Sequence, residues 1–570
     1  MASLFSCTSF QKQSFNSYIC IFLIVNKQNM KRFIILFLLL SIQVTSFAQS
    51  ETKEEIFLNG LELYKAKNYE QAFELFMQSA KLGDAKAQSY LGIMYYNGRG
   101  IGLDKVESEK WYKLSAQQGN PEAESHIGLF YYRGEVYEQD FKEAYNWFCK
   151  SSQGGFETAD LLIATMYYKG EYLEKDSKEA FKRFSKLADI KNTDAEYFVG
   201  LMYEDGDGVD TNIEEAFKYY HRSALSSNFE AQCELGRFYY HGISVKEDKH
   251  EAFKWYSLSA NQGYAPAQKM IGIMYYKGEG VNKDINESLK FIKLSANQDN
   301  ADAQCLLAAY YSNGTGNLER SPQEAFKWYA KSANKGHSIA QLYLGYIYEK
   351  GEGVEKSIES SAKWYLESAK QGHMVAQYNL GALYYHEREL KKDKKEAFKW
   401  LLKSAEQGYV DAESTVGYFY QIGEGVKKDY KEAIKFLEKA AKQGDDQALN
   451  NLGVMHGYGL GFKKDIKEAM KYYLMAAEKG NLLAQANLGR IYSNNSKFVN
   501  KKEAARWLKA AADQGDDGSM VELARLYLKG EGVEQDFDKA GELLNKASEL
   551  GNKEAKDVLK ELERLFEENE

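Results

Sequence analysis

Small and apolar residues recur every four positions along short stretches of this chain, and the stretches themselves recur every 36 residues. In residues 121–132 the recurring positions are Ala123, Ile127 and Tyr131, one stripe of an amphipathic helix. A single position serves as a ruler for the whole chain: Gly92, Gly128, Ala164, Gly200, Gly236, Gly272, Ala308, Gly345, Gly381, Gly417, Gly453, Gly489 and Ala524. Three residues after each stands Tyr, with His456 the exception, a tolerated packing variant. A ruler residue that is always small predicts a neighbouring helix passing too close for a longer side chain. A Gly-x-Gly turn such as Gly278-Glu279-Gly280 then releases the backbone from the helix.

A second helix follows in every period, and its start is written clearly. Asp104, Asp140, Asp176 and their ten counterparts are all Asp, Asn or Ser, and Glu follows three residues later in eleven of the thirteen. That spacing predicts N-caps with a reciprocal capping box. Pro322 falls at a first helical position, where its missing amide costs nothing. All seven tryptophans, from Trp111 to Trp507, sit in this second helix three residues after a small residue. Gly83, Gly119 and their equivalents close it.

Such a period means stacked supersecondary units. The expected fold is all-α, a right-handed α/α superhelical solenoid of about fourteen helix pairs with a C-terminal capping helix. Residues 49–83 form a first helix pair with a shorter loop, residues 84–551 thirteen further pairs, and residues 552–570 the cap. Lys560 stands where the ruler residue would be, so no helix is expected behind it, and Leu559, Leu562 and Phe566 would cover the last repeat.

The pattern Ala-x-x-x-Leu-Gly-x-x-Tyr-x-x-Gly-x-Gly-Val, then Asp-x-x-x-Ala-x-x-Trp-Tyr-x-x-Ser-Ala-x-x-Gly, resembles the Sel1-like repeat, a relative of the tetratricopeptide repeats. The resemblance covers 84–551, while 49–83 looks more like a tetratricopeptide unit. It implies a scaffold or adaptor that binds other proteins. Two loops depart from the pattern, at Glu387 and Glu389 and at Asn495 and Lys497.

The N-terminus is different. Met30-Lys31-Arg32 opens a positive start, an apolar run extends from Phe33 to Val44, and Ser46-Phe47-Ala48 has small residues where a signal peptidase reads. Residues 30–48 therefore read as a signal peptide, with 1–29 a misassigned upstream extension. The alternative, a retained anchor, has an apolar core shorter than the ~20 residues of a span. The expected location is the periplasm or the exterior of a Gram-negative bacterium, with no membrane insertion after cleavage.

Removing residues 1–48, with four basic and no acidic residues, moves the formal charge from −8 to −12. That balance argues against nucleic acid or an anionic membrane as partner. Cys149, Cys233 and Cys305 remain, an odd number at no paired spacing, so the repeats rely on packing rather than disulfides.

Catalytic, cofactor and metal signals are absent. No His-x-x-x-His or Cys-x-x-Cys occurs. His337 and His373 share a turn position one repeat apart but bring no further ligands. Ser360 and Lys363 spell Ser-x-x-Lys, a β-lactamase nucleophile motif, yet Ser360 holds the capping-box position and the partner motifs are missing. The expectation is a non-enzymatic protein. A cell-wall enzyme or modulator remains the first alternative. It would need an off-pattern polar cluster on one face, and none is identified here. A purely structural spacer is the second.

By analogy with tetratricopeptide solenoids, the first helices face the concave side. The fourth residue after the ruler then offers Tyr96, Tyr132, Tyr168, Tyr240 and Tyr276, interrupted by Glu204. The residue just after the ruler offers Arg237. These six are the candidate contacts for a protein or peptide partner, the alternative being that the rings only pack between repeats.

Overall fold

In a computed structural model of the protein, residues 52–386 and 393–567 are described, with side chains described as far as Arg564. Twenty-nine α-helices, with no strand between them, account for these residues. The signal-peptide and upstream-extension readings at 1–48, the Glu387 and Glu389 loop and the Phe566 side chain lie outside the described residues. The chain divides into two units at Glu247/Asp248. The first carries eleven helices, from Lys53–Lys65 to Phe229–His241, and the second eighteen, from Lys249–Asn261 to Lys553–Glu567. Within each unit, every helix packs on the next in sequence. This is the all-α repeat solenoid that the period implies.

The ruler position behaves as a contact point, and the helix that passes close is the second helix of the same repeat. A Cβ on Gly345 would lie 2.5 Å from the Tyr365 ring, and one on Gly128 2.6 Å from Phe148. Alanine is accommodated where it occurs, for Ala164 and Ala308 are fully buried. The tryptophans also act alike in that they reach back to an earlier core. Trp147 packs against Tyr112, Ile127 and Phe130, and Trp507 against Leu449, Tyr473 and Leu488. Burial of these rings and of the buried alanines supplies the cohesion between neighbours.

Second-helix serines add a polar tie inside the repeats that carry them; Leu187, Ala440, Ala476, Ala511 and Ala547 replace them in the others. The Ser115 hydroxyl donates to the Ala85 carbonyl at 2.6 Å, and Ser295, Ser332 and Ser404 repeat the contact. A serine at that position is fully buried without leaving its hydroxyl unpaired.

The N-caps form as expected, from Asp104 to Asp536. The reciprocal half of the capping box needs correction. It is complete at Thr52–Glu55, before the first repeat of the ruler series. In the later repeats the N-cap amide is already satisfied, because the ruler tyrosine's carbonyl accepts it: Asp104 donates to Tyr95 at 2.9 Å and Asp429 to Tyr420 at 2.9 Å. The glutamate is thereby released, and it pairs with a lysine three residues on, as in Glu107–Lys110 at 2.7 Å and Glu396–Lys399 at 2.9 Å. The loop at Asn495 also differs. There the first helix ends with an extended residue, φ −83°, where Gly530 and its counterparts end it left-handed.

At the C-terminus, Val558, Leu559 and Leu562 of Lys553–Glu567 lie on the core made by Leu523, Leu526 and Leu544.

Candidate functional site

In the first unit the candidate tyrosines sit at the seams between repeats. Tyr96, Tyr132 and Tyr168 are half-buried. Tyr96 packs on Phe130 of the next repeat at 5.8 Å, and Tyr168 on Phe198 at 6.1 Å. The Tyr96 hydroxyl donates to Glu135 at 3.0 Å and accepts from Arg133 at 2.8 Å. Tyr132 donates to Glu171 at 2.5 Å and accepts from Lys169 at 3.2 Å. Tyr240 is only 8% exposed, whereas Tyr276 in the second unit is 43% exposed. The series is thus a set of inter-repeat joints of uneven accessibility.

Arg237 is engaged within the protein. Its guanidinium donates to both Glu204 oxygens at 2.5 and 2.7 Å and to Glu234 at 2.6 Å. Glu204 also accepts the Tyr220 hydroxyl at 3.0 Å. The break in the tyrosine series has the same cause. Where Glu replaces Tyr, a second-helix tyrosine turns its hydroxyl to it, as Tyr365 does to Glu349 at 2.9 Å.

The second unit contains a cavity that the tyrosine series alone did not indicate. It has about 340 Å³ and spans four successive first helices. Met374–His386 contributes Tyr378, Ala382, Tyr385 and His386, and Val410–Ile422 contributes Ser414, Thr415, Tyr418 and Phe419. Asp446–Tyr458 adds Gln447 and Asn451, Leu482–Asn494 adds Leu483, and Leu401 forms part of the wall. The rings of Tyr385 and Phe419 meet at 4.9 Å. At the rim, Tyr418 is 41% and Leu483 49% exposed.

The cause of the cavity is a change of residue type two positions before the ruler. That position normally carries a ring or an apolar chain that covers the second helix of the preceding repeat. Tyr90 lies on Phe76 at 5.0 Å, His126 stacks on Tyr112 at 4.5 Å, Phe198 on Phe184 at 4.6 Å and Tyr343 on Tyr329 at 5.1 Å. In the next four repeats the position reads Asn379, Thr415, Asn451 and Asn487. Thr415 cannot cover Leu401 as a ring would, so the space stays open. This is an off-pattern polar set on one face, which corrects the reading that no such cluster exists. The alignment of repeats carried the signal, at the position two residues before the ruler.

Among the described residues, the lining contains no Asp, Glu, Lys or Arg. The Ser414 hydroxyl donates to Asp445 at 2.8 Å and that of Thr415 to the Asp411 carbonyl at 2.7 Å. Burial pushes the Tyr378 phenol above its ordinary range, followed by the nearby Asp411 carboxylate. Apart from His386 and the tyrosines, the described lining is made of apolar and uncharged polar residues.

The other sequence candidates are structural. The Ser357 hydroxyl donates to Ser360 at 2.9 Å, while Lys363 lies over Trp364. The His337 ring accepts the Ala340 amide as an N-cap and lies 3.3 Å from Asp302. His456 stacks on Phe462 at 3.9 Å in place of the tyrosine. Among the described residues no group of three His, Cys, Asp or Glu could hold a metal, and no helix is long and apolar enough to cross a membrane.

The family model described as Sel1 repeat matches fourteen segments, from 55–84 to 518–552, so the first helix pair matches it as well. A solved structure of a protective antigen present in uropathogenic Escherichia coli strains, with an SLR fold, is 32% identical, covering 80% of this chain and 96% of its own, with a TM-score of 0.57. A Sel1 repeat protein from Oxalobacter formigenes is 31% identical over 54% of this chain and 89% of its own, with a TM-score of 0.46. No curated protein matches.

Proposed function

Because the chain belongs to the Sel1 repeat family, whose repeat scaffolds typically mediate contacts between proteins, we propose that it is an exported, non-enzymatic scaffold that holds a protein or peptide partner on its first-helix face. The observation that carries this reading is the cavity across four first helices, rimmed by Tyr418 and Leu483. Exposed aromatic side chains continue along the same face at Tyr343 and Tyr346, 45% and 41% exposed. Aromatic anchors beside a concave apolar site are the usual makings of a protein contact. Of the tyrosine series, Tyr276 lies in the same unit as the cavity and is open to a partner, whereas Tyr96, Tyr132, Tyr168 and Tyr240 lie in the first unit, where Arg237 ties neighbouring first helices.

Export rests on the Met30-Lys31-Arg32 start and the Ser46-Phe47-Ala48 end. The likeness to a protective antigen accords with it. N-terminal sequencing of the native protein should begin at Gln49; a chain retaining Met30 refutes export. For the binding face, a photo-crosslinking amino acid is placed at Tyr343 or Tyr418 and, as controls, at the exposed second-helix residues Lys327 or Lys363. Covalent adducts from the first pair and not the second are expected in envelope and secreted fractions. Adducts from the second pair alone, or from none, refute the reading.

A further inference from the structure

We infer that the loop edge of the second unit, between Ile422 and Lys502, docks peripherally on an anionic lipid surface, its lysines on headgroup phosphates and Ile422 and Tyr458 in the interfacial layer. This edge is distinct from the first-helix face, and its role does not depend on that face.

The charge follows from repeat register. Lys-Lys-Asp-x-Lys occurs at 391–395, 427–431 and 463–467, where the second helices of three successive repeats begin. Segment 422–435 holds four basic and three acidic residues, 458–471 four and two, and 494–506 four and one, whereas the equivalent 205–218 holds one and five. In the first two of these segments the acids are already committed. Asp429 and Asp465 cap helices, Glu432 and Glu468 hold Lys435 and Lys471, and Glu424 holds Lys394. Lys427, Lys428, Lys463 and Lys464 are exposed and have no acidic partner among the described residues; Lys428 lies over the Tyr430 ring at 5.9 Å.

The next loop explains why they stay free. Lys175, equivalent to Lys428, is held by Asp207 at 2.7 Å. At the position of Asp207, the loops that follow Lys428 and Lys464 carry Leu460 and Ser496. Successive lysine pairs lie on the order of 10 Å apart, as adjacent packed helices do. Charges beyond about 8–10 Å are screened in physiological salt, so the negative charge of the rest of the chain does not cancel this ridge. Net charge alone therefore does not bar an anionic membrane from this edge.

Apolar side chains select lipid over a soluble polyanion. The first helices of these repeats end in Ile422, 39% exposed, and Tyr458, 74% exposed. Earlier repeats place Arg133, Lys169, Asp205 or Lys277 there. Each apolar side chain stands beside its lysine pair. A Cβ on Gly423 would lie 3.3 Å from the Lys428 Cβ, and one on Gly459 3.2 Å from that of Lys464. Val499, 49% exposed, continues the edge into the next repeat. Lysine stems with charged tips and an amphipathic tyrosine suit the headgroup boundary, where phosphate and hydrocarbon are both within reach. A polyphosphate or acidic polysaccharide offers Ile422 no hydrocarbon to cover it.

The test is flotation of the full chain, as its host processes it, with vesicles of phosphatidylglycerol and phosphatidylcholine in equal parts or of phosphatidylcholine alone. Binding to the first and not the second is expected, and it should be lost in about 0.5 M salt. Lys427→Glu, Lys428→Glu, Lys463→Glu and Lys464→Glu together should weaken binding at least about a hundredfold, since each lysine near an anionic surface is worth roughly fivefold. These side chains are exposed and unpaired, so the melting temperature should not fall. The same charge change towards the far ends of the second helices, at the exposed Lys403, Lys439, Lys442 and Lys479, should weaken binding less than about fivefold. Ile422→Ser with Tyr458→Ser should weaken vesicle binding about tenfold and leave retention on a heparin column unchanged. No flotation with the anionic vesicles, equal losses from the two lysine sets, or undiminished flotation of the serine variant would each overturn the inference. So would binding of polyphosphate or single-stranded RNA stronger than that of vesicles and unaffected by the serine changes, which would make the occupant a soluble polyanion.

Discussion

Arg237→Met separates an arginine that faces a ligand from one that holds the repeats together. In the parent chain its guanidinium spans Glu204, on the preceding first helix, and Glu234, on its own. Side-chain exposure is 34% for Arg237, 18% for Glu204 and 27% for Glu234, so the group is neither fully solvated nor sealed. Exposed ion pairs contribute about 0–1 kcal/mol. Breaking a buried pair costs about 3–5 kcal/mol because an uncompensated charge remains. The intermediate burial places this one near ~2 kcal/mol. The loss should exceed that of any one exposed Lys–Glu pair, because methionine leaves two neighbouring carboxylates and removes a donor from the oxygen set that receives the Tyr220 hydroxyl. The assay is hydrogen exchange across 193–241 with thermal melting, in low and high salt. Faster exchange confined to these helices is expected, partly relieved by salt, which screens the two carboxylates. Glu204→Gln and Glu234→Gln together in the Arg237→Met chain should recover most of the loss by removing the repulsion. Unchanged exchange in Arg237→Met would mean that the arginine is not held as described, and would return it to the list of ligand contacts.

Burial, and next the nearby Arg133, pushes the His126 imidazole down to about 4 from an ordinary 6.5. Its contribution to stability is therefore complete above pH 6.5 and is lost as pH falls towards 4, because the unfolded chain binds the proton first; the span is on the order of 3 kcal/mol at most. His126→Phe, matching the Phe198–Phe184 stack, should flatten the acid loss in urea melts, and an unaltered slope contradicts the assignment. Gly345→Ala should shift melting by only a few degrees, since about 1–3 kcal/mol of overpacking on Tyr365 opposes about 1 kcal/mol of helix propensity, whereas Gly345→Leu should unlatch the two helices. Equal behaviour of the two would show that the ruler contact is not tight. Deleting 552–570 uncovers Leu544 and Ala547, so the last repeats should exchange faster and the chain lose solubility; a truncated chain that melts like the whole removes the capping role. Tyr132→Ala with Tyr168→Ala should lower melting while leaving adducts from Tyr418 intact, because the Tyr132 hydroxyl and the Tyr168 ring act at seams in the first unit. The reverse order would make them partner contacts.

The periodicity alone determined the helix pairs, their caps and their turns, because these depend on residues a few positions apart. An aspartate can accept amides two and three residues on wherever the helix lies, and Gly278 can take φ 75° without reference to distant chain. The small ruler residue announced a close approach for the same local reason. What touches it did not follow from that signal, since Tyr365 meets Gly345 only when two helices pack. The same limit applies to the glutamates of the capping boxes. Their preferred partner depends on whether the tyrosine carbonyl of the preceding helix has already taken the N-cap amide. Tyr240 and Tyr276, both at the fourth position after the ruler, looked alike in sequence, yet packing left Tyr240 buried and Tyr276 open. Asn451 is the sharpest instance. Its repeat register was plain to read, but whether an amide there is a paired group, a solvated one or one waiting for a ligand depends on Leu401, Phe419 and Thr415. Those residues come from other helices, and only the tertiary structure brings them around one cavity.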